Sequence, residues 1–200
     1  MTIEIIKAGP DDAGSVAELI GTAFADLPPT EWLVPVEEDR ARVLSANFRI
    51  VVDLAVAHGE VHMTADRVAA AVWLPRTGPL PEPEDYDERL AAACGRWTDR
   101  FRTLDTLFEQ NHPEEPHHHL AFLATRSDKR SQGIGSSLLS YYHAYLDQHG
   151  VPAYLEASDP RSRDLYLRHG YELLGEPFTL PSGAAFWPMW RPAKAGGAGN

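Results

Sequence analysis

Apolar and polar positions alternate from Thr2 to Ala8, with Ile3 and Ile5 on one face, which predicts a first strand. Pro10-Asp11-Asp12 carries a helix-start signature, and Val16, Leu19, Ile20 and Phe24 follow at helical spacing. Leu27-Pro28-Pro29-Thr30 breaks that helix. A second helix is predicted over 37–58, and 59–64 and 67–74 read as two strands joined by Ala65-Asp66. Pro75 to Pro83 is a proline-rich surface link, and 85–110 reads as one long or broken helix. The run Leu120 to Ala124 belongs to a buried strand that starts at His117-His118-His119 and ends at Thr125. A helix over 136–148, a strand over 154–158, a short helix over 161–169 and a strand from Tyr171 to Leu174 follow. Strands alternating with helices predict an α/β fold. The chain is expected to form a single domain over 1–192, with a mobile small-residue tail at 193–200.

Composition narrows the classes without choosing among them. Two hundred residues, 44% hydrophobic and 24% charged, suit one globular domain with a sizeable core. No apolar run approaches the roughly 20 residues a membrane span needs, and the N-terminus lacks the basic and apolar regions of a signal peptide. Cys94 is the only cysteine, which excludes an internal disulfide and suits a reducing cytoplasm; its helical surroundings predict a packed thiol. The net charge of −11 argues against a nucleic-acid surface and would favour a cationic substrate. Arg126, Lys129 and Arg130 put basic charge beside one glycine loop.

That loop, Arg130-Ser131-Gln132-Gly133-Ile134-Gly135-Ser136, lies between a strand and a helix. Glycine there lets backbone approach a ligand closely. The first helical N–H groups lack intrahelical partners and meet the positive end of the helix dipole, so the loop is built for a phosphate or pyrophosphate. It is not a Walker A loop, because Ser136 follows Gly135 where lysine is needed, and it is not a dinucleotide fingerprint, because position 138 is leucine. Downstream, Leu165-Tyr166-Leu167-Arg168-His169-Gly170-Tyr171 places a tyrosine four residues before a Gly-aromatic pair.

The pattern [RQ]-x-x-G-x-[GA] after a strand, followed by Y-x-x-x-G-[FY], resembles the GCN5-related N-acetyltransferase family. Short pieces such as Phe24-Ala25-Asp26, Pro113-Glu114-Glu115-Pro116 and Leu155-Glu156-Ala157-Ser158 add a loose likeness to puromycin N-acetyltransferase and its relatives. The resemblance implies that family's fold, a central mixed sheet with helices on both faces. It implies acetyl-CoA as co-substrate and a small-molecule amine, an antibiotic or metabolite, as acceptor. A protein or peptide acceptor, or a non-catalytic acyl-CoA-binding module, are the alternatives, and homodimer formation stays open.

By the same resemblance, the backbone of Leu123, Ala124 and Thr125 runs beside pantetheine. The N–H groups of Ser131, Gln132, Gly133, Ile134, Gly135 and Ser136 hold the pyrophosphate, Arg130 fills the [RQ] position, and Ser162 stands where relatives carry a pantetheine-contacting asparagine. Tyr166 matches the tyrosine that protonates the departing thiolate, a task suited to a phenol with pKa near 10. Two residues compete as base. His119 lies four residues before Leu123, and strand alternation puts His117, His119, Ala121, Leu123 and Thr125 on one face. Glu156 lies on the expected neighbouring strand, where it would bind a cationic amine or take its proton. Asp26, Trp32 and Trp73 are candidates for the acceptor pocket, although core packing suits both tryptophans. The histidine triplet lacks a further ligand cluster in sequence, so no metal is expected. No cysteine lies at these motifs to carry the acyl group, which predicts direct transfer.

Overall fold

A computed structural model describes residues 3–83 and 85–194. Its strands are β1 (Ile5–Lys7), β2 (Glu60–Thr64), β3 (Ala69–Arg76), β4 (His117–Thr125), β5 (Ala153–Ala157), β6 (Glu172–Leu173), β7 (Phe178–Thr179) and β8 (Ala185–Arg191). Its helices are α1 (Ala13–Phe24), α2 (Pro28–Leu33), α3 (Glu37–His58), α4 (Tyr86–Cys94), α5 (Thr98–Asn111), α6 (Ile134–His149) and α7 (Pro160–Arg168). The sheet order is β1-β2-β3-β4-β5-β8-β6, with β7 hairpinned onto β8. The β4–β5 pair is parallel and every other described pair is antiparallel, so the sheet is mixed.

Three apolar clusters fix the layers. Val16, Ile20, Val52, Val72 and Ala124 form the first, between the sheet and α1 with α3. Gly21 makes that layer thin: a Cβ there would stand 2.5 Å from the Ser45 backbone nitrogen of α3. Leu138, Leu139, Leu146, Leu155, Tyr166 and Met189 form the second, under α6 and α7 on the opposite face. Leu44, Leu90, Phe101 and Phe186 form the third, which seats α4 and α5 against α3. Trp73 belongs to the second cluster. It is fully buried and stacks on Tyr142 with centroids 4.5 Å apart, a contact worth about 0.5–1.5 kcal/mol beyond its burial. It therefore packs the core and does not line an acceptor pocket.

Several boundaries differ from the sequence reading, each for a local reason. The Leu27–Thr30 segment does not only end a helix: Pro28 and Pro29 occupy the first turn of α2, where a missing N–H costs nothing. The long segment after the proline link is broken at Gly95, whose φ of +52° separates α4 from α5. The expected first strand shortens to Ile5–Lys7, and Met1 and Thr2 lie outside the described residues. Most of the expected tail, residues 195–200, also lies outside them. Among the described residues, no helix is long and apolar enough to cross a membrane. Cys94 is buried as expected, and burial pushes its thiol up to about 12.

The second cluster encloses a titratable side chain. His143 of α6 is buried and shares a 3.1 Å hydrogen bond with the Tyr171 hydroxyl. His169, Arg191, Asp147 and Lys194 surround it. Burial first, then the Arg191 and His169 charges, push its pKa down from 6.5 to about 3. The folded value lies below the unfolded one, so protons favour unfolding. His143 contributes its full stabilisation above pH 6.5 and loses it as pH falls from 6.5 toward 3. Each pH unit in that window costs about 1.4 kcal/mol. The melting temperature should fall steeply between pH 6 and pH 4, and His143→Gln, which cannot titrate, should flatten the slope. Equal slopes in both proteins would place the acid lability elsewhere.

Candidate active site

β4 pairs with β3 along its whole length but with β5 only at His118 and His119. Beyond His119 the two parallel strands part and leave a split in the middle of the sheet. The register of β3 against β4 slips between Val72 and Trp73, which leaves Ala121 as an extra residue, a β-bulge. Arg126 donates its N–H to Val68 at 2.8 Å, toward β3. Alternation then turns the N–H and C=O of Ala124 toward β3, and those of Leu123 and Thr125 away from it, into the split. The edge that faces the split is thus carried by Leu123 and Thr125, while Ala124 spends its backbone on the sheet.

The bulge also corrects the expected alternation. His119 pairs with Leu74, which belongs to the cluster on the α1–α3 face, whereas Leu123 pairs with Ala71 on the α6 face. His119 and Leu123 therefore point to opposite faces. The extra residue makes Phe122, not Leu123, the companion of His119.

On the α6 face, the loop before α6 has the geometry of an anion cradle. Ser131 (φ +64°) and Gly133 (φ +79°) both take left-handed conformations, which bends the loop back over the helix end. Ser131 is a non-glycine residue in a sparsely populated conformation, a form of local strain found at ligand-binding loops. A Cβ on Gly133 would meet open space, and one on Gly135 would meet only Leu123, Thr125 and Leu165 side chains at 3.7–3.9 Å. Neither glycine is demanded by packing at its Cβ. The first four N–H groups of α6 have no intrahelical partner, so they remain for a ligand.

Basic charge reaches this loop by a different route from the one expected. Arg126 is held by Asp128 through two hydrogen bonds of 2.6 and 3.0 Å. Arg130 donates to the Ala23 carbonyl at the end of α1 at 2.6 Å and to the Thr125 carbonyl at 3.4 Å, so it ties the loop to α1. Arg161, at the start of α7, donates to Ser131 Oγ at 2.8 Å and brings a guanidinium to the loop from 30 residues downstream. Nothing in the local sequence marks Arg161 for this. Gln132 Nε2 is 3.4 Å from the Asp128 carbonyl, and Ser136 Oγ is 3.0 Å from His169 Nε2. Ser162 gives its hydroxyl to the Asp159 carbonyl at 2.9 Å, and Asp159 caps α7 by accepting from the N–H groups of Arg161 and Ser162.

Tyr166 of α7 lies on this same face, nearly buried, with its ring edge-on to Tyr171. Burial, and secondly the Asp159 charge, raise its pKa above the ordinary phenol value. It keeps its proton at neutral pH.

Across the split, on the α1–α3 face, the two candidate bases meet. His119 Nε2 and Glu156 Oε2 are 2.8 Å apart. The Glu156 side chain is only 6% exposed. Burial alone would raise its pKa, but the His119 imidazole, through charge and its hydrogen bond, and secondly the His112 imidazole beside it outweigh burial and hold the carboxyl below its ordinary value. An ionised carboxylate beside Nε2 fixes the proton there, which leaves Nδ1 of His119 as the acceptor nitrogen. That Nδ1 is buried with no hydrogen-bond partner. His112, from the turn after α5, places Nδ1 3.8 Å from Glu156 Oε1. Its ring lies 5.0 Å from that of His119 and 4.9 Å from that of His117. His112 is outside every motif, so only the fold reveals it. His117 hydrogen-bonds the Glu115 carbonyl at 2.6 Å and packs edge-on to Trp190. His118 points to the α6 face and bonds the Tyr142 hydroxyl at 2.8 Å.

Beside His119, Phe122 meets Phe48 at 4.6 Å and Phe24 at 6.0 Å between centroids. All three rings are only half-buried, so they form a partly open apolar wall. Trp32 is half-buried under the Arg100 guanidinium in the third cluster, and Asp26 is exposed between α1 and α2. Neither reaches the pair.

Residues 66–171 match the acetyltransferase (GNAT) family. The whole chain superposes on a crystal structure of a histone acetyltransferase HPA2 and related acetyltransferase from Corynebacterium glutamicum, with a TM-score of 0.67, 26% identity and 98% of each chain covered. A mosquito arylalkylamine N-acetyltransferase like 5b shares the fold at a TM-score of 0.63 and 16% identity, over 96% of this chain and 100% of that one. So does a chain of the NatC complex bound to Gag peptide and CoA, at 0.55 and 12%, over 96% and 100%. The family match spans the split strands, the glycine loop and the Tyr166 helix, and with it the chain belongs to the GNAT family of N-acetyltransferases.

Proposed function

We propose that this enzyme passes an acetyl group directly from acetyl-CoA to the primary amine of a small molecule with an apolar, ring-bearing body. The observation that carries the proposal is the buried His119–Glu156 pair, 2.8 Å apart, on the same face as the half-open Phe24–Phe48–Phe122 wall. An ammonium group finds a carboxylate there, and the carbon frame behind it finds aromatic surface.

Acetyl-CoA supplies the acetyl group already activated as a thioester. The backbone of Leu123 and the N–H of Thr125 offer pantetheine an edge to add to as a strand. The N–H groups of Gly133 to Ser136 and the Arg161 guanidinium answer the pyrophosphate charge. Glu156 keeps the Nε2 proton of His119 in place and offsets the charge that develops on the ring. Nδ1 takes the amine proton, directly or through one water. Tyr166, across the split, gives its proton to the departing sulfur. Base and acid thus work from opposite faces of the sheet, and the gap between β4 and β5 is where acceptor and thioester meet.

Tyr166→Phe keeps the ring and removes the proton. Its kcat should fall about 100-fold with CoA affinity little changed. A kcat within about twofold of wild type would assign thiolate protonation to water or another group. The acceptor class is tested by thiol release from acetyl-CoA with a panel of arylalkylamines, aliphatic diamines and peptides with free N-termini. The proposal expects the highest kcat/KM for arylalkylamines, and a preference for peptides would overturn it.

A further inference from the structure

One potential ligand atom from each of His112, His119 and Glu156 lies within 4.8 Å of the other two. Four atoms in and beside this cluster, His112 Nε2, His119 Nδ1, His117 Nε2 and Glu156 Oε1, are buried without hydrogen-bond partners. Glu156 is more than nine-tenths buried, and its unpartnered Oε1 points toward His112. Two imidazoles and one carboxylate gathered this closely, with buried atoms left unpartnered, is a ligand set for a metal ion. The expectation of no metal came from His117 and His119 alone; the fold replaces His117 with His112 and adds the carboxylate.

We propose that His112, His119 and Glu156 bind a late first-row divalent metal ion, of which zinc is the type, and that this ion switches the enzyme off. Nitrogen ligands select such ions over magnesium and calcium, which require oxygen donors. Small shifts of the three side chains bring them to the roughly 2.0–2.2 Å that zinc needs. The bound ion occupies the His119 imidazole and the Glu156 carboxylate on which deprotonation of the amine depends, so metal and acceptor amine exclude each other. The inhibition, though not the binding, rests on the functional reading above.

Zinc and cobalt are titrated into EDTA-treated, dialysed wild-type protein, with magnesium as control. Calorimetry should show one zinc site per chain, and cobalt should give the intense visible bands of a low-coordinate ion. Zinc should raise the melting temperature of the wild type, since it binds only the folded arrangement. Loss of an outer partner alone costs 10–100-fold in metal affinity, so His112→Ala and Glu156→Gln should each weaken zinc binding by at least about 100-fold. His112→Ala should also need correspondingly more zinc to lower its own metal-free rate. No zinc or cobalt binding by the wild type overturns the proposal, as does binding undiminished in both variants. Failure of zinc binding with Glu156→Gln still inactive would remove the metal site and leave the base assignment. Zinc binding without turnover of any amine would do the reverse.

Discussion

Gly135→Glu is expected to leave the protein folded and to weaken CoA binding at least about 100-fold, roughly 2.8 kcal/mol. The fold tolerates a side chain here: the position has no positive φ, and a Cβ meets its neighbours only at ordinary contact distance, 3.7 Å or more. An acidic residue in the first turn of α6 even suits the helix dipole. What it harms is the ligand. The carboxylate would project between Leu123, Thr125 and Leu165, into the space beside the split, and repel the pyrophosphate from the N–H groups that should receive it. Calorimetry with CoA on protein shown by circular dichroism to be folded gives the answer. Unchanged affinity would mean that the glycine loop is an ordinary strand–helix connection. Gly133→Glu is a poorer test, because its φ of +79° strains any other residue.

Glu156→Gln should lower kcat by about 10²–10⁴-fold, the range for a lost general-base function. The amide keeps the size of the carboxylate and loses its charge, so it can neither fix the His119 proton nor balance the developing imidazolium. His119→Ala should cost a similar factor. The double variant should be little worse than either single one, because the two side chains act as one unit. Steady-state rates in chelator-treated buffer measure all three. Multiplicative losses would show that His119 and Glu156 act independently, and two unimpaired single variants would leave the amine to lose its proton to bulk water.

The α/β pattern and the two glycine-bearing motifs were legible because they are local. A strand, a glycine loop, a helix and a tyrosine four residues before a Gly-aromatic pair each state their geometry within a few residues. What escaped the sequence depends on register and long-range closure. Ala121 gives no sign of being a bulge, yet that one residue moves Leu123 to the face opposite His119 and changes which neighbours the base has. His112 and Arg161 come to the site from 44 residues before Glu156 and 30 residues after Ser131, so spacing along the chain could not join them. Arg126 and Arg130 read as free positive charge in sequence, whereas Asp128 and two backbone carbonyls take them up. The Pro28-Pro29 pair reads as a breaker, because proline just past the end of one helix is the same signal as proline in the first turn of the next.

Direct transfer across the β4–β5 split is most directly tested by initial rates of CoA release over a grid of acetyl-CoA and amine concentrations. A reaction in which both substrates meet on the enzyme predicts double-reciprocal lines that intersect. Parallel lines would reveal a covalent acetyl-enzyme and contradict the account, and the absence of turnover with every amine, in protein that binds CoA, would contradict it altogether.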